Sequence, residues 1–275
     1  MRNVLLKIEY DGTYFSGWAR QPKIRTVQGE LEKILSDLCC TSVELKGTGR
    51  TDAGVHAVGQ CATFSGDFGI PTDRLARAAN DILAENRFKG GVIRISEAVE
   101  VPEGFHAGFD AVGKTYTYMI RLAEEMSVFL SNYRYHIKKP LDIDKMQAAI
   151  MHFEGTHDFA AFMAAGGTPH KSTVRHIYSA QIAAFDRDES VTDIAISITG
   201  DGFLYNMVRI IVGTLVDVGL GRIAVKAVPD IIAGCDRQMA GHTAPPQGLY
   251  MKQVYFTKEA LIAGANEAPT VLPQI

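Results

Sequence analysis

The stretch KGTGRTDAGVHAVGQ, residues 46 to 60, links two strand patterns, at 43 to 47 and 57 to 65, through a short polar turn rich in glycine. One carboxylate, Asp52, and one guanidinium, Arg50, stand close together in this turn. Two interpretations are open. The turn is either a tight structural loop, in which Asp52 accepts backbone hydrogen bonds, or a site where the carboxylate carries chemistry.

Outward from this turn, the first hundred residues follow the order β-α-β-β-α-β. The pattern predicts a strand at 3 to 10 from its alternating apolar residues, and a helix that Thr26 caps. It also predicts a helix at 73 to 84 and a strand at 91 to 99. Proline and glycine interrupt the periodicity near residue 104, where we place a domain boundary.

The second half repeats the same kinds of element. The predictions are a helix at 143 to 153, a helix at 203 to 218, and strands at 114 to 121, 174 to 184, 192 to 199 and 249 to 256. We therefore expect an α+β protein of two related units, each with an antiparallel sheet and helices on one face. The predicted domains are 1 to 104 and 105 to 257, followed by a peripheral tail at 258 to 275.

Composition fits a compact protein. The 275 residues are 47% hydrophobic and 21% charged, and the formal net charge of −3 gives only weak evidence against a nucleic-acid partner, because cations can be confined to one groove. Four cysteines without metal-ligand spacing favour a reduced, cytoplasmic setting. We predict neither a signal peptide nor a membrane span, since no apolar run reaches about 18 residues.

Several common sites are excluded by their missing motifs. A dinucleotide-binding loop is ruled out because Asp52 occupies the third glycine position and no helix pattern follows. No GxSxG elbow, P-loop or SxxK motif occurs. The histidine pairs 152/157 and 170/176 lack zinc-site spacing, so no metal is predicted.

A second informative stretch is GDGFLYNMVRIIVGTLVDVGLGR, which is apolar on nearly every side and predicts a buried helix. Arg209 lies inside this run. A buried guanidinium needs a carboxylate partner, and such a pair is a poor choice for stability alone, which favours a functional role. The alternative is that Arg209 reaches solvent along a narrow exposed stripe with Asn206 and Gly213.

Two aromatic stretches are compatible with RNA contact. In KTYTYMIR, residues 114 to 121, strand alternation puts Tyr116 and Tyr118 on one face, where they either stack on bases or belong to the core. In NYRYHIKK, residues 132 to 139, tyrosines alternate with cations that include Arg134. A solvated surface turn explains the second stretch equally well.

Taken together, these stretches resemble the TruA family of tRNA pseudouridine synthases. The similarity runs from about residue 4 to residue 256, through YDGTYFSGWARQ, TVQGELE, GRTDAGVHAVGQ, KTYTY, GTHDFAAF, GFLYNMVRIIVGTL and TAPPQGLYMKQVYF. The resemblance implies two RRM-like, ferredoxin-like halves whose sheets meet at a central catalytic cleft. It also implies a homodimer that binds tRNA and isomerises uridine in the anticodon stem-loop, at tRNA positions 38 to 40, without cofactor or metal.

The resemblance also implies roles for single residues. Asp52 matches the family's essential aspartate, and Arg209 matches the arginine expected beside it. Tyr118 matches the second tyrosine of KTYTY, Arg50 the motif arginine, and Leu249 an apolar residue expected against the target base. The family and the buried-pair argument thus both indicate that Arg209 is the partner of Asp52.

One position departs from the family. In FHAGFDA, residues 105 to 111, Gly108 stands where the family usually has an arginine. We expect Lys114 or Arg134 to substitute for that contact with RNA. Two rival functions remain at this stage: an RNA-binding module that leaves its RNA unaltered, and a base-modifying enzyme that uses a separate donor molecule.

Overall fold

The computed structural model describes residues 1–85, 93–167, 171–188 and 190–273. Contacts divide the chain into two compact units. The first comprises Met1–Val112 with Met251–Phe256, and the second comprises Gly113–Tyr250 with Thr257–Ile275. The chain therefore leaves the first unit and returns to it near its end. The contact-based division places the first limit at Val112, whereas the sequence predicts it at residue 104. The domain limits at 104 and 257 stay predictions.

The elements are numbered in chain order. The strands are β1 (Arg2–Tyr10), β2 (Lys46–Gly47), β3 (His56–Gly66), β4 (Ile93–Glu100), β5 (Gly113–Leu122), β6 (Tyr135–Ile137), β7 (Gly155–Asp158), β8 (Val174–Asp188), β9 (Val191–Gly200) and β10 (Leu249–Tyr255). The α-helices are α1 (Val27–Cys39), α2 (Thr72–Glu85), α3 (Ile143–Ile150), α4 (Met207–Gly219), α5 (Val228–Gly234) and α6 (Lys258–Ala265). Among the described residues, no helix is long and apolar enough to cross a membrane.

The first unit is built around a sheet with strand order β4-β1-β3-β10, in which β1 runs antiparallel to β3 and β4, and β2 also pairs antiparallel with β3. The predicted alternation in β1 is confirmed, because its apolar side chains are buried in one row. Thr26 caps α1 as predicted, accepting a hydrogen bond from the Gly29 amide. Since α1 contacts α2 and α2 packs along β4, both helices cover the same face of the sheet.

The second unit has strand order β5-β9-β8-β7, with β6 running parallel to β5. The register of β5 and β9 is continuous from the pair Lys114–Gly200 to the pair Leu122–Thr192. Helix α3 packs on α4 and on β8, so these helices share one face. Almost every residue of α4 is buried, as its apolar sequence predicts. The predicted mixed α/β fold is confirmed.

Two helix limits differ from the prediction. Helix α4 begins at Met207 and not at 203, because Asn206 adopts a left-handed conformation with φ of 60° that a helix cannot contain. The helix predicted at 143 to 153 ends at Ile150 and continues as a 3-10 turn over Met151–Phe153. The strand predicted at 91 to 99 is found from Ile93, and its first two predicted residues lie outside the described ranges.

Within the described ranges, two short strands and two short α-helices were missed. Strands β6 and β7 have three and four residues, too few for a readable period. Helix α5 has seven residues. Helix α6 lies in the segment predicted to be a tail without periodicity, yet Thr257 caps it, and Leu261 and Ala265 are buried one turn apart.

Candidate active site

Asp52 lies in the turn between β2 and β3, and hydrogen bonds at Thr48 and Gly49 hold the beginning of this turn. The Thr48 amide donates to the Cys61 carbonyl at 2.9 Å, and the Thr48 hydroxyl contacts Gln60 Oε1 at 2.8 Å. Gln60 in turn donates from Nε2 to the Gly49 carbonyl at 3.0 Å. Buried side chains of β3 therefore set the direction in which the turn leaves the sheet.

The middle of the turn is held around Thr51. Its hydroxyl contacts the buried Tyr10 hydroxyl at 2.7 Å, and its carbonyl accepts from the Trp18 amide at 3.1 Å. Asp52 follows directly, with its carbonyl accepting from the Val55 amide at 3.1 Å and its residue half-buried. Burial raises the pKa of Tyr10 above its ordinary value, so this hydroxyl remains a neutral partner. The carboxylate thus stands on a turn fixed from both neighbouring segments.

Two glycines allow the segment 10 to 18 to lie directly on this turn. A Cβ at Gly12 would stand 2.0 Å from the Val55 carbonyl oxygen, and one at Gly17 would stand 2.4 Å from that of Thr51. The Gly12 amide donates to Nδ1 of the buried His56 at 3.1 Å. Sequence reasoning did not assign these glycines a role, although their spacing in YDGTYFSGW was the available signal.

Tyr118 lies on β5 and is fully buried. Its hydroxyl donates to the Pro245 carbonyl at 2.6 Å, and its ring lies so close to Gly248 that a Cβ there would stand 2.6 Å from two ring carbons. Burial raises the pKa of Tyr118 well above its ordinary value, against the opposing influence of the Arg209 cation. Tyr118 is therefore a neutral ring in a fixed position.

Arg209 lies on α4, half-buried between the buried Val208 and Ile210. Its Nε donates to the Ala244 carbonyl at 2.7 Å, and its Nη1 donates to Oδ1 of Asn206 at 2.7 Å. The Ala244 amide returns a hydrogen bond to the Arg209 carbonyl at 3.0 Å. These contacts orient the guanidinium, while its partnership with the carboxylate of the turn stays a prediction.

Residues 241–248, here called the carbonyl segment, supply a main-chain acceptor to each of these two side chains. Ala244 accepts from Arg209 and the next residue, Pro245, accepts from Tyr118. Tyr118 and Arg209, both predicted to belong to the catalytic group, thus donate to the carbonyls of adjacent residues. The role of this segment was missed, because main-chain acceptors leave no side-chain pattern to read.

Close packing on α4 fixes the carbonyl segment. A Cβ at Gly213 of α4 would stand only 1.7 Å from the His242 carbonyl oxygen, so only glycine permits this approach. The Gly241 amide donates to the Thr214 hydroxyl at 2.9 Å. The helix therefore sets the position of both carbonyls as well as that of Arg209.

His242 links the same segment to two further elements. Its Nδ1 lies 3.1 Å from Oδ2 of Asp217 in α4, and its Nε2 lies 3.2 Å from the Tyr135 hydroxyl in β6. Burial alone would raise the pKa of Asp217, but hydrogen bonds with His242 and Arg222 outweigh it and the pKa falls below its usual value. Tyr135 meets the Tyr118 ring edge to face at 6.4 Å.

Comparison with known proteins identifies the family to which this chain is similar. The family model described as tRNA pseudouridine synthase matches residues 7–110 and 149–257, which contain both the Asp52 turn and α4. The chain belongs to this family. Proteins named tRNA pseudouridine synthase A from Ruminiclostridium cellulolyticum and Acetivibrio thermocellus are each 44% identical over 256 residues, covering 93% of this chain and all of the relative. One from a Geobacillus species is 42% identical and is covered to 98%. The family predicted from the motifs is confirmed.

Three of the other residues that the family resemblance or the aromatic pattern selected lie on β5 and β10, and Arg50 lies at the Asp52 turn. Tyr116 and Lys114 alternate with the residues between them on β5, and the Tyr116 ring meets Phe203 edge to face at 5.1 Å. Burial lowers the pKa of the Lys114 ammonium to about 8. Leu249 is buried at the start of β10. Arg50 is exposed at the Asp52 turn.

Arg134, proposed from sequence as a substitute RNA contact, is 3% exposed. It donates to the Leu272 carbonyl, and its Nε lies 3.8 Å from Asp193 Oδ1. Asp193 also forms a two-pronged pair with Arg121 at 2.8 Å and meets Arg187 at 3.0 Å. Interior charge pairing therefore occupies Arg134, and its contact with RNA stays a prediction.

Two of the histidines noted in the sequence, His152 and His157, line a cavity of about 420 Å³ in the second unit, whereas His176 does not line it and residue 170 lies outside the described ranges. His152, His157, Asp158 and Cys235 are among its lining residues. Within the described ranges, however, no group of three or more His, Cys, Asp or Glu side chains is arranged to hold a metal ion. The cavity thus offers no metal centre among these residues.

Proposed function

We propose that this chain isomerises uridine to pseudouridine in the anticodon stem-loop of tRNA. The observation that carries the proposal is the family match, which spans the Asp52 turn and the Arg209 helix in one chain, together with relatives that this chain covers over their full length. Both motifs are built from close backbone contacts that only glycine permits. Such construction is expected where side-chain position decides activity.

The reaction exchanges one glycosidic bond for another. The bond between N1 of uracil and C1′ of ribose breaks, the base turns, and C5 bonds to C1′ while a proton leaves C5 and N1 gains one. The product has the same atoms as the substrate, so an external oxidant, reductant or donor is not consumed. A carboxylate, a cation and a shielded surface for the base are the groups such a reaction needs from the protein.

In this proposal Asp52 is the catalytic carboxylate. It attacks the ribose or the base, or takes a proton from the sugar, and Arg209 keeps it ionised. Tyr118 packs its ring on the extruded base. Its hydroxyl already donates to the Pro245 carbonyl, so the ring is the part of the side chain that contacts the base. Leu249 and Tyr116 shield the base, and Arg50 and Lys114 contact the RNA backbone, offsetting the few kcal/mol that base flipping costs.

The partner is tRNA, and we propose that the enzyme acts as a homodimer in the cytoplasm. This follows the family resemblance and the reduced state expected for its cysteines. Light scattering of the purified protein at working concentration tests the assembly. A mass of one chain, 30.0 kDa, under conditions that support full activity would contradict it.

The deciding experiment incubates unmodified tRNA with purified protein alone and maps pseudouridine in the anticodon arm by carbodiimide labelling. Wild type is expected to produce a signal without added cofactor, and Asp52→Asn to bind tRNA but produce none. Asp37→Asn, which removes an exposed charge from α1, is the matched control and should remain active. Unaltered RNA with wild type would favour an RNA-binding module, and a requirement for a donor would favour a different enzyme.

A further inference from the structure

An exposed aromatic stack stands at the end of the first unit's main segment. The Phe109 ring is 85% exposed, and it lies on the imidazole of His106 with ring centres 4.2 Å apart and planes inclined by 30°. Only one face of the phenyl ring is therefore covered by protein. Leaving a large apolar ring in water is unfavourable, so its retention in a fixed orientation needs a reason.

Hydrogen bonds hold this ring in place before any partner arrives. The amides of Phe109 and Asp110 both donate to the His106 carbonyl, at 3.0 and 2.9 Å, and the Asp110 carboxylate accepts from the His106 amide at 2.7 Å. The Gly108 amide donates to Nδ1 of the imidazole at 3.0 Å. The imidazole that supports the ring is thereby locked to the same turn, which reduces the entropy lost when the ring binds a partner.

The turn is anchored to the sheet of the first unit. The buried Ala107 donates from its amide to the Thr63 hydroxyl at 3.2 Å. Asn3 donates to the Phe105 carbonyl at 2.9 Å, and the Phe105 ring packs on Phe256 at 5.2 Å. The exposed ring therefore has a rigid support on both sides of the turn.

The stack also lies against the segment that carries the catalytic turn. A Cβ at Gly108 would stand 3.1 Å from the Gly47 carbonyl oxygen and 3.0 Å from the His106 ring. Gly47 is flanked by the exposed Lys46 and lies three residues before the exposed Arg50. An exposed ring and exposed cations on adjoining segments of the chain are the combination that binds single-stranded nucleic acid, in which bases stack and phosphates meet positive charge.

We propose that Phe109, backed by His106, is a base-stacking platform that holds an unpaired base of the RNA substrate. The inference rests on the proposed function and adds to it a binding residue outside the predicted catalytic group. Stacking suits this position because every base presents a π face, whereas the glycine at 108 contributes no side chain of its own. Phe109 thus binds RNA by stacking through the face of its ring. Position 108 of the same turn has no charged side chain that could contact the RNA.

The test measures KM and kcat for pseudouridine formation on unmodified tRNA. Phe109→Ala should raise KM by about 5- to 150-fold, the equivalent of about 1 to 3 kcal/mol for one stacked base at 1.4 kcal/mol per tenfold change, with a much smaller effect on kcat. Phe109→Trp should keep the wild-type KM, and Phe109→Leu should resemble alanine, because leucine is apolar but cannot stack. Phe129→Ala, at an equally exposed ring in the second unit (84%), is the matched control.

The proposal is overturned if Phe109→Ala matches wild type, if leucine restores KM, or if Phe129→Ala has the same effect. It is also overturned if Phe109→Ala changes the mass measured by light scattering, since the ring would then be a contact between copies of the chain. The slope of affinity against salt should stay unchanged, because no phosphate contact is lost. Wild type that forms no pseudouridine contradicts the proposed function instead, and direct binding of the same variants to tRNA then tests the platform alone.

Discussion

At the scale of single residues, the predicted catalytic group in the second unit is held by main-chain carbonyls. Tyr118 and Arg209 each donate to a carbonyl of neighbouring residues, Pro245 and Ala244. A carbonyl in a packed segment is a fixed acceptor that cannot rotate away, so it orients a side chain more strictly than a flexible partner does. These hydrogen bonds therefore orient the two side chains and add little charge to the site.

Tyr118→Phe separates the ring from the hydroxyl. The variant keeps the ring but leaves the Pro245 carbonyl without its donor, so we expect the free energy of unfolding to fall by about 1 to 3 kcal/mol. If the ring acts by packing on the base, kcat/KM should fall by no more than about tenfold, which is about 1.4 kcal/mol. Tyr118→Ala should lose at least about 100-fold. Loss of all activity in the phenylalanine variant would mean that the hydroxyl itself takes part in the chemistry.

Asp193→Asn tests the interior charge cluster. The change leaves Arg121 and the buried Arg134 without their shared carboxylate, so we expect the free energy of unfolding to drop by about 3 to 5 kcal/mol. Glu125→Gln, which breaks an exposed pair with Lys138 at 3.6 Å, is the control and should cost less than about 1 kcal/mol. Urea unfolding measures both, and equal effects would contradict the assignment.

The same carboxylate predicts a pH dependence. Burial opposes ionisation of Asp193, but hydrogen bonds from Arg121 and Arg187 outweigh it, so the pKa lies below its value of 3.8 in the unfolded chain. A lowered pKa gives stability that is present above 3.8 and is lost as pH falls through the folded-state pKa. Below about pH 4 the stability of wild type should therefore fall more steeply than that of Asp193→Asn. Parallel acid-unfolding curves would contradict this.

At the scale of elements, the carbonyl segment and α4 behave as one positioning device. Glycines at 213 and 241 allow the segment to touch the helix, and His242 ties it to Asp217 and Tyr135. Any change that moves the segment should move both acceptors together. The effect on activity should then exceed that of removing either hydrogen bond alone.

Gly213→Ala is the direct test of that device. The new Cβ would stand 1.7 Å from the His242 carbonyl oxygen, so the segment must shift. We expect a loss of about 1 to 3 kcal/mol in stability and a fall of more than tenfold in kcat. Gly234→Ala at the end of α5, where nothing lies within 4 Å, should be neutral or slightly stabilising. Thermal unfolding and single-turnover rates measure both variants, and equal behaviour of the two would refute the packing argument.

Elements set by local chemistry were predictable, and those set by distant contacts were not. The start of α1 follows from Thr26 alone, because the cap and the helix are adjacent in sequence. Strand β6 exists only through parallel pairing with β5, and three residues carry no period of their own. The start of α4 was misplaced because the conformation of Asn206 depends on its surroundings.

The same division holds within the candidate site. Asp52, Tyr118 and Arg209 were identified from motifs, since side-chain type is visible in sequence. The glycines at 12 and 213 became meaningful only when the structure showed which carbonyl oxygens approach them. The predicted pairing of Asp52 with Arg209 joins residues of different units and stays a prediction.

At the scale of the whole molecule, the chain forms two units, and the first of them is made of two separate segments. The first unit is completed by residues 251–256, which lie beside β3 and approach it so closely that a Cβ at Gly59 would stand 2.3 Å from the Lys252 carbonyl oxygen. The Val112 amide also donates to the Tyr255 carbonyl at 2.9 Å. The first unit is therefore not a contiguous piece of chain.

Fragment 1–112 tests this dependence. Without residues 251–256 the part of β3 that β2 does not pair has an open edge and Phe105 loses the ring of Phe256, so the fragment should unfold at lower temperature than the full chain or aggregate. A fragment in which a short flexible linker joins residues 249–257 to residue 112 should recover cooperative unfolding. Circular dichroism during heating distinguishes them, and a fragment as stable as the full chain would contradict the expectation.

This return of the chain has a consequence for its synthesis. The ribosome must add the 138 residues from 113 to 250 before residue 251 can reach β3. At about 5 to 20 residues per second this takes about 7 to 28 s. During that interval the nascent first unit carries an open strand edge, which is a template for pairing with a neighbouring chain on the same messenger. The order of the sequence thus leaves this edge of β3 open until residues 251–256 have been translated.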